Sequence, residues 1–295
     1  MKECLKYSIN GNIIPAANCL IPLDCLSVTL GLSVFEATRI YSNNSGELFA
    51  FRFSDHISRL FRSMKILRIK HSFTKQQIID DLIKLVEANN ISTHAYIRLT
   101  IFFDQAVSGG SIYHPDSITP KLAIFVSEKE ISDEFYSGIN CCISSWRRIS
   151  DNSIPPRIKA SANYQNTRLA GYQALLDGYD NAILLNDSGK VSEAGESTIF
   201  IIRDGKIITP PVSAGILESI TRDTIIKLAR KQGIDIIERD VERTELYIAD
   251  EMFLCNTAKI IRPVLSIDKY EIGDGKIGAT TRFLQKKISR YCVWK

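Results

Sequence analysis

The chain contains no stretch of 18 apolar residues, so nothing in it reads as a membrane-spanning helix. It has no run of five like charges, and no basic stretch is interleaved with aromatics. The 37 basic residues exceed the 33 acidic ones by only a net +4, so the sequence gives no electrostatic reason to expect nucleic-acid binding. The N-terminus, MKECLKYSINGNIIP, lacks the apolar core of a signal peptide. No Cys-x-x-Cys pair occurs, and the seven cysteines (Cys4, Cys19, Cys25, Cys141, Cys142, Cys255 and Cys292) are odd in number. That pattern argues against a disulfide framework or a zinc site and for small buried residues in a reducing cytoplasm. The four histidines, His56, His71, His94 and His114, form no spaced cluster, so no metal is expected. Neither GxGxxG nor GxxxxGK[ST] is present, which removes the main support for dinucleotide and P-loop readings.

What is there is a chain of 295 residues, 45% of them hydrophobic, enough for one large core or two modest ones. There is no internal repeat. LFAFRF reads as a short strand after a turn at Asn43-Asn44-Ser45-Gly46. In SDHISRLFRSMKILRI the period changes: Ile57, Leu60, Phe61, Met64 and Leu67 recur at helical spacing, with Ser54 or Asp55 as N-cap. His56 falls on this helix and reads as a packing or hydrogen-bonding residue. A second helix is expected over TKQQIIDDLIKLVEANN, then strands at AYIRLTIFF and KLAIFVSE. The expected organisation is α/β: a smaller α+β domain over 1–126, a polar linker over 127–138 and a larger β-rich α/β domain over 139–295. In that second domain, helices are expected at NYQNTRLAGYQALLDG, ITRDTIIKLARKQG and TTRFLQKKI, and strands at AILLND, STIFIIRDGKIIT and EMFLCNT.

Read for chemistry alone, the chain offers one pattern. Ser219 and Thr221 open a helix after the loop TPPVSAGILES, and backbone N–H groups at a helix start favour a phosphate. Most such hydroxyls are only caps. The stretch from PPRIKASANYQNTRLAGYQALLDG through SEAGESTIF to SAGILESITRDTIIKLA, however, resembles the class IV (fold type IV) pyridoxal-phosphate aminotransferases. Lys159, Asn163 and Tyr164 lie closest to the branched-chain branch. GLSVFEATRIY with FRFSDHISRLFRSMKIL, and ELYIADEMFLCNTAKIIRPVLSID, resemble the same enzymes in colinear order.

The resemblance implies a two-domain enzyme with pyridoxal 5'-phosphate held between the domains. It would exchange amino groups between small-molecule amino acids and 2-oxo acids such as 2-oxoglutarate in ping-pong order. Lys159 would hold the cofactor as a Schiff base and move the proton, since desolvation and neighbouring charge can free a lysine amine. Glu193 would face the pyridine nitrogen, with Glu196 as the residue easily mistaken for it. Arg59 would contact the phosphate through its fork of donors, where a plain surface arginine would instead pair with Asp55. Ile220 and Thr221 would offer backbone N–H groups to the same phosphate, Thr257 a hydroxyl, and Tyr164 a hydrogen bond to the phenolic oxygen. For the substrate the resemblance implies Phe35, Tyr96 and Arg98, with the backbone of Thr257 and Ala258 receiving the carboxylate. It also implies a homodimer or higher homo-oligomer.

The departures cluster at the substrate end. Leu30 stands where a tyrosine is usual, Ala37 and Asn256 where glycines are, and Lys259-Ile260 where Ala-Glu is common. A D-amino-acid aminotransferase or an aminodeoxychorismate lyase on the same fold, the latter suggested by the Cys255-Asn256 pair, stays open. So does a non-catalytic cofactor-binding protein.

Overall fold

Ala95, Ile97, Leu99 and Ile101 are buried and alternate with half-buried Tyr96, Arg98, Thr100 and Phe102, so a period of two gives one strand two different faces. The computed structural model that contains this strand describes residues 5–106, 114–131 and 136–293, with side chains as far as 289. The chain divides into two compact units, Met1–Glu130 with Ile158–Ala162, and Ile131–Arg157 with Asn163–Lys295. Among the described residues no helix is long and apolar enough to cross a membrane.

The first unit runs β1 (Lys6–Ile9), β2 (Asn12–Pro15), α1 (Leu26–Thr29), β3 (Val34–Ser42), β4 (Leu48–Ala50), α2 (Phe53–Ile66), α3 (Lys75–Ala88), β5 (Ala95–Phe102) and β6 (Lys121–Glu128). Its six strands form an antiparallel sheet in the order β2-β1-β6-β5-β3-β4. Ile57, Leu60 and Met64 of α2 and Ile78, Leu82 and Leu85 of α3 join Val34, Ile40, Ile97, Leu99 and Ile124 in one core. The register sets Ala37 of β3 opposite Arg98 and Arg39 opposite Tyr96. The strand alternation therefore puts Phe35, Ala37, Arg39, Tyr96 and Arg98 on the sheet face away from that core.

Three boundaries differ from the sequence expectation. Helix α2 starts at Phe53, ahead of the expected cap at Ser54 or Asp55, with Arg52 in a left-handed conformation (φ 48°) at the cap position. Phe53 is buried against the core, and that burial draws it into the helix. Strand β6 continues through Ser127 and Glu128, which pair with Tyr96 and Ala95, so the polar stretch expected as linker begins as strand. The carbonyls of Lys129 and Glu130 are then held by Arg39 Nη2 at 2.5 and 3.2 Å. Residues 132–135 of that expected linker lie outside the described residues. Finally, 158–162 returns to the first unit: Ala160 bridges Val34, and the Phe35 N–H donates to the Lys159 carbonyl at 2.9 Å.

The second unit runs β7 (Ile139–Ile143), α4 (Tyr164–Leu176), β8 (Asn181–Leu185), β9 (Val191–Ala194), β10 (Thr198–Arg203), β11 (Lys206–Thr209), α5 (Ile220–Lys231), β12 (Ile236–Glu238), β13 (Glu251–Asn256), β14 (Ile260–Ile267), β15 (Tyr270–Glu271) and α6 (Ala279–Val293). Its mixed sheet has the order β12-β11-β10-β13-β14-β7-β8-β9, with β15 on β14. Ile183, Val191, Ile199, Ile201, Met252, Leu254 and Val264 are part of its core. Asp204 and Gly205, both at positive φ (49° and 73°), close the tight β10–β11 hairpin, as the Asp-Gly pair requires. Helix α6 is capped by Glu251, whose carboxylate accepts from the Thr280 and Thr281 N–H groups at 2.9 and 2.8 Å. A Cβ at Gly278 would lie 2.0 Å from Glu251 Cδ, so the close approach of this cap needs glycine.

Of the cysteines, Cys25, Cys141, Cys142 and Cys255 are buried, but Cys19 is only partly so. Burial pushes the Cys142 thiol up to about 11 and Cys255 up to about 12, far from a reactive thiolate. Cys4, and the side chain of Cys292, lie outside the described residues.

Candidate active site

In the first unit, the extended stretch that pairs with β3 carries Lys159 between buried Ile158 and Ala160. Its backbone is fixed on both sides: the carbonyl accepts from Phe35, and the N–H donates to Ser63 Oγ at 3.2 Å. The side chain is half-buried, and Nζ sits 4.8 Å from the centroid of the Phe35 ring. The Arg98 guanidinium lies 4.0 Å from the same centroid, so Phe35 takes two cations against its π-system. Tyr96 stands on the same sheet face as Phe35 and Arg98, with Lys129 Nζ 5.7 Å from its ring centroid.

On the α2 side of β3 lies a fully buried carboxylate, Glu36, with 0% exposure. Arg59, itself 4% exposed, reaches it with two donors, Nε to Oε1 at 2.6 Å and Nη2 to Oε2 at 2.9 Å. His56 Nδ1 adds a third contact at 2.8 Å to Oε2. Burial alone would raise the Glu36 carboxyl, but the Arg59 charge and the hydrogen bonds from His56 and Arg59 hold it well below the usual carboxylate range. Burial likewise lowers His56 below its ordinary value, against the Glu36 hydrogen bond and with the Arg59 and Lys159 charges adding to the fall. Because a carboxylate only accepts, the 2.8 Å contact is an Nδ1–H of His56 donating to Glu36.

In the second unit, Tyr164 is the first residue of α4 and Glu193 lies in β9. Glu193 is 5% exposed and its two oxygens are gripped from different sides: Arg148 Nη2 at 2.7 Å from Oε1, and the Leu217 N–H donating to Oε2 at 3.2 Å. Arg148, 6% exposed, is itself held by its Nε donating to the Gly215 carbonyl at 3.3 Å. Glu196, by contrast, is exposed. Buried Ile220 and Thr221 form the first turn of α5, and Ser219 caps it by accepting the Arg222 N–H at 3.1 Å. Thr257 and Ala258 sit in the turn between β13 and β14. Asn256 pins that turn, donating to Ser197 Oγ at 2.9 Å and accepting the Lys259 N–H at 2.7 Å. Ile260 closes it at φ +58°, a left-handed conformation costly for a β-branched residue. A cavity of about 290 Å³ lies beside it, lined in part by Tyr164, Thr167, Glu196, Ser197, Asn256 and Lys259.

The structure thus brings Lys159, Phe35 and Arg98 together in one unit, and groups Arg59 with Glu36 and His56 on the opposite, α2 face of the same sheet. It corrects the alternative partner for Arg59: Asp55 pairs with Arg52 at 2.7 Å, not with Arg59. Sequence reading missed Glu36 and Arg148, the residues that orient Arg59 and Glu193. Glu36 had left a signal, a charge inside the apolar strand VFEATRIY. Arg148 left none, because Glu193 is remote in sequence. Among the described residues no group of three His, Cys, Asp or Glu side chains could hold a metal ion.

Residues 33–267 match the family model of the class IV amino-transferases. The chain is 36% identical to a probable branched-chain-amino-acid aminotransferase of Aquifex aeolicus over 96% of its own length and 94% of that protein. It is 34% identical to the branched-chain-amino-acid aminotransferase of Escherichia coli over 94% and 89%. Among solved structures, it resembles the branched-chain aminotransferase of Thermobaculum terrenum in its PLP form (TM-score 0.91, 38% identity, covering 99% of this chain and 95% of that one). It also resembles the Escherichia coli enzyme (TM-score 0.93, 32% identity, covering 99% and 95%).

Proposed function

Because the chain belongs to the class IV amino-transferases, we propose that it is a pyridoxal 5'-phosphate-dependent aminotransferase acting between branched-chain L-amino acids and a 2-oxo acid such as 2-oxoglutarate. The observation that carries this reading is the setting of Lys159: a half-buried amine on a backbone fixed by Phe35 and Ser63, with Nζ against an aromatic ring. Taken one by one, the chain carries a partner for each group of the cofactor. There is an amine for its aldehyde, a buried carboxylate for its ring nitrogen, and a helix start and an arginine for its phosphate. When bound, the cofactor supplies a carbonyl that takes up the amino group and a ring that draws electrons from the substrate Cα.

The chain's own residues do the rest. The Lys159 amine would take the proton from the substrate Cα and deliver it to the cofactor's former carbonyl carbon, and would reverse the transfer in the opposite half-reaction. Glu193, oriented by Arg148 and the Leu217 N–H, would keep the ring nitrogen protonated. Arg59, the Ile220 and Thr221 N–H groups and the Thr257 hydroxyl would hold the phosphate, and Tyr164 would hold the phenolic oxygen. Thr257 and Ala258 offer N–H groups to the substrate carboxylate, while Phe35, Tyr96 and Arg98 line its side chain. Asn256 ties down the Thr257-Ala258 turn through its own side chain. We further place the enzyme in the cytoplasm, on its cysteine usage, and as a homodimer, on its family.

A panel of amino donors with 2-oxoglutarate tests the reading. L-Leucine, L-isoleucine and L-valine are expected to give glutamate and their oxo acids. Activity confined to D-alanine, or release of aminobenzoate from aminodeoxychorismate, would overturn the substrate assignment; no amine exchange with any donor would overturn the activity.

A further inference from the structure

We infer that Glu36 is a positioning residue for phosphate recognition: by gripping the Nε–Nη2 edge of Arg59 it fixes the direction in which that guanidinium faces. The inference rests on the reading that Arg59 meets the cofactor phosphate, and extends it to residues that do not touch the cofactor. Glu36 is fully buried in a strand that on the same face sends Val34 and Ile40 into the apolar core. Replacing such an ion pair with apolar side chains generally costs no stability, because desolvating both charges consumes most of the attraction between them. What a buried two-pronged pair does supply is geometry. The Arg59 side chain is long and rotamer-rich, and here two of its donors are committed at 2.6 and 2.9 Å to a carboxylate carried on β3. The rest of the guanidinium is thereby aimed away from Glu36 before any ligand arrives, which lowers the ordering cost of binding.

His56 completes the clamp. It lies one helical turn before Arg59 on α2 and holds Oε2 at 2.8 Å, so the carboxylate cannot swing toward another rotamer. With two of its donors already on Glu36, Arg59 would recognise a phosphate by the direction of its hydrogen bonds rather than as an unpaired charge.

The test compares two ligands that differ only in the phosphate. The full-length chain, stripped of cofactor, is titrated with pyridoxal 5'-phosphate and with unphosphorylated pyridoxal, followed by absorbance. Glu36→Gln is expected to weaken pyridoxal phosphate about tenfold or more, the loss typical of one charge-assisted hydrogen bond, and to leave pyridoxal unchanged. Arg59→Met should show the same selective loss, and the double variant should bind no worse than Arg59→Met alone. Equal weakening of both ligands by Glu36→Gln would make Glu36 merely structural and overturn the inference. Full phosphate selectivity in Glu36→Gln, with selectivity lost in Arg59→Met, would overturn it and leave the role of Arg59 standing. Selectivity retained in Arg59→Met would remove the reading beneath it as well. Should Glu36→Gln not fold, Glu36→Asp keeps the charge on a shorter arm. Its expected loss is smaller and again confined to the phosphorylated ligand, and an equal loss for both ligands overturns the inference there too.

Discussion

At the scale of single residues, the candidate site consists of polar groups that each need a second residue to be useful. Lys159, Arg59 and Glu193 could be nominated from the short motifs that flank them in sequence. Their partners were not, because Glu36 and Arg148 reach them from other elements, and pairing across elements leaves no local period to read. His56 was legible as a hydrogen-bonding residue, and its environment has a measurable consequence. Its folded pKa lies below the ordinary 6.5 because of burial, and His71 is lowered for the same reason. Below pH 6.5 the unfolded chain therefore binds protons that the folded chain refuses, and stability falls with pH down to the folded pKa values. The urea midpoint is expected to drop between pH 7.5 and 5.5, and His56→Gln with His71→Asn should flatten that slope. A slope unchanged by both substitutions would show that these imidazoles are not the groups responsible.

At the scale of elements, helices with strong periodicity and caps were read with their ends nearly right. Helix α3 shows why: Thr74 and Gln77 form a reciprocal capping box, a signature visible in the letters alone. The strands were less legible. IIRPVLSI contains Pro263, which normally argues against an interior strand, yet it forms β14 between β13 and β7. Pro263 faces Phe253 on β13, while on the β7 side the ladder begins only at Val264, so no N–H is needed from the proline there. The β1–β2 hairpin turns on Asn10-Gly11, both at positive φ (49° and 82°), but its strands have only four residues each, too short to show a period. Helix α5 carries the candidate phosphate-binding start, and its cap is a single hydroxyl. Ser219→Ala should cost about 1 kcal/mol of stability by chemical denaturation. No measurable loss would mean that the Arg222 N–H finds another acceptor.

At the scale of the whole molecule, the alternation of helices and strands was enough to expect a mixed α/β chain of two parts, and the family match spans most of it. What a linear reading could not see is that Ile158–Ala162 belongs with the first unit while the residues on either side belong with the second. The Val34–Ala160 bridge and hydrogen bonds of Lys159 with Phe35 and Ser63 and of Ser161 with Ser33 make that return. Such isolated pairing between distant segments has no sequence signature. The return fixes the lysine's backbone to a strand rather than leaving it on a mobile loop, as a covalent cofactor site needs. The most direct measurement is to treat the cofactor-loaded enzyme with borohydride, digest it and locate the reduced cofactor by mass spectrometry. The account predicts the label on the Lys159 peptide and its absence in a folded Lys159→Ala variant. A label on a different lysine, with Lys159 unmodified, would contradict it.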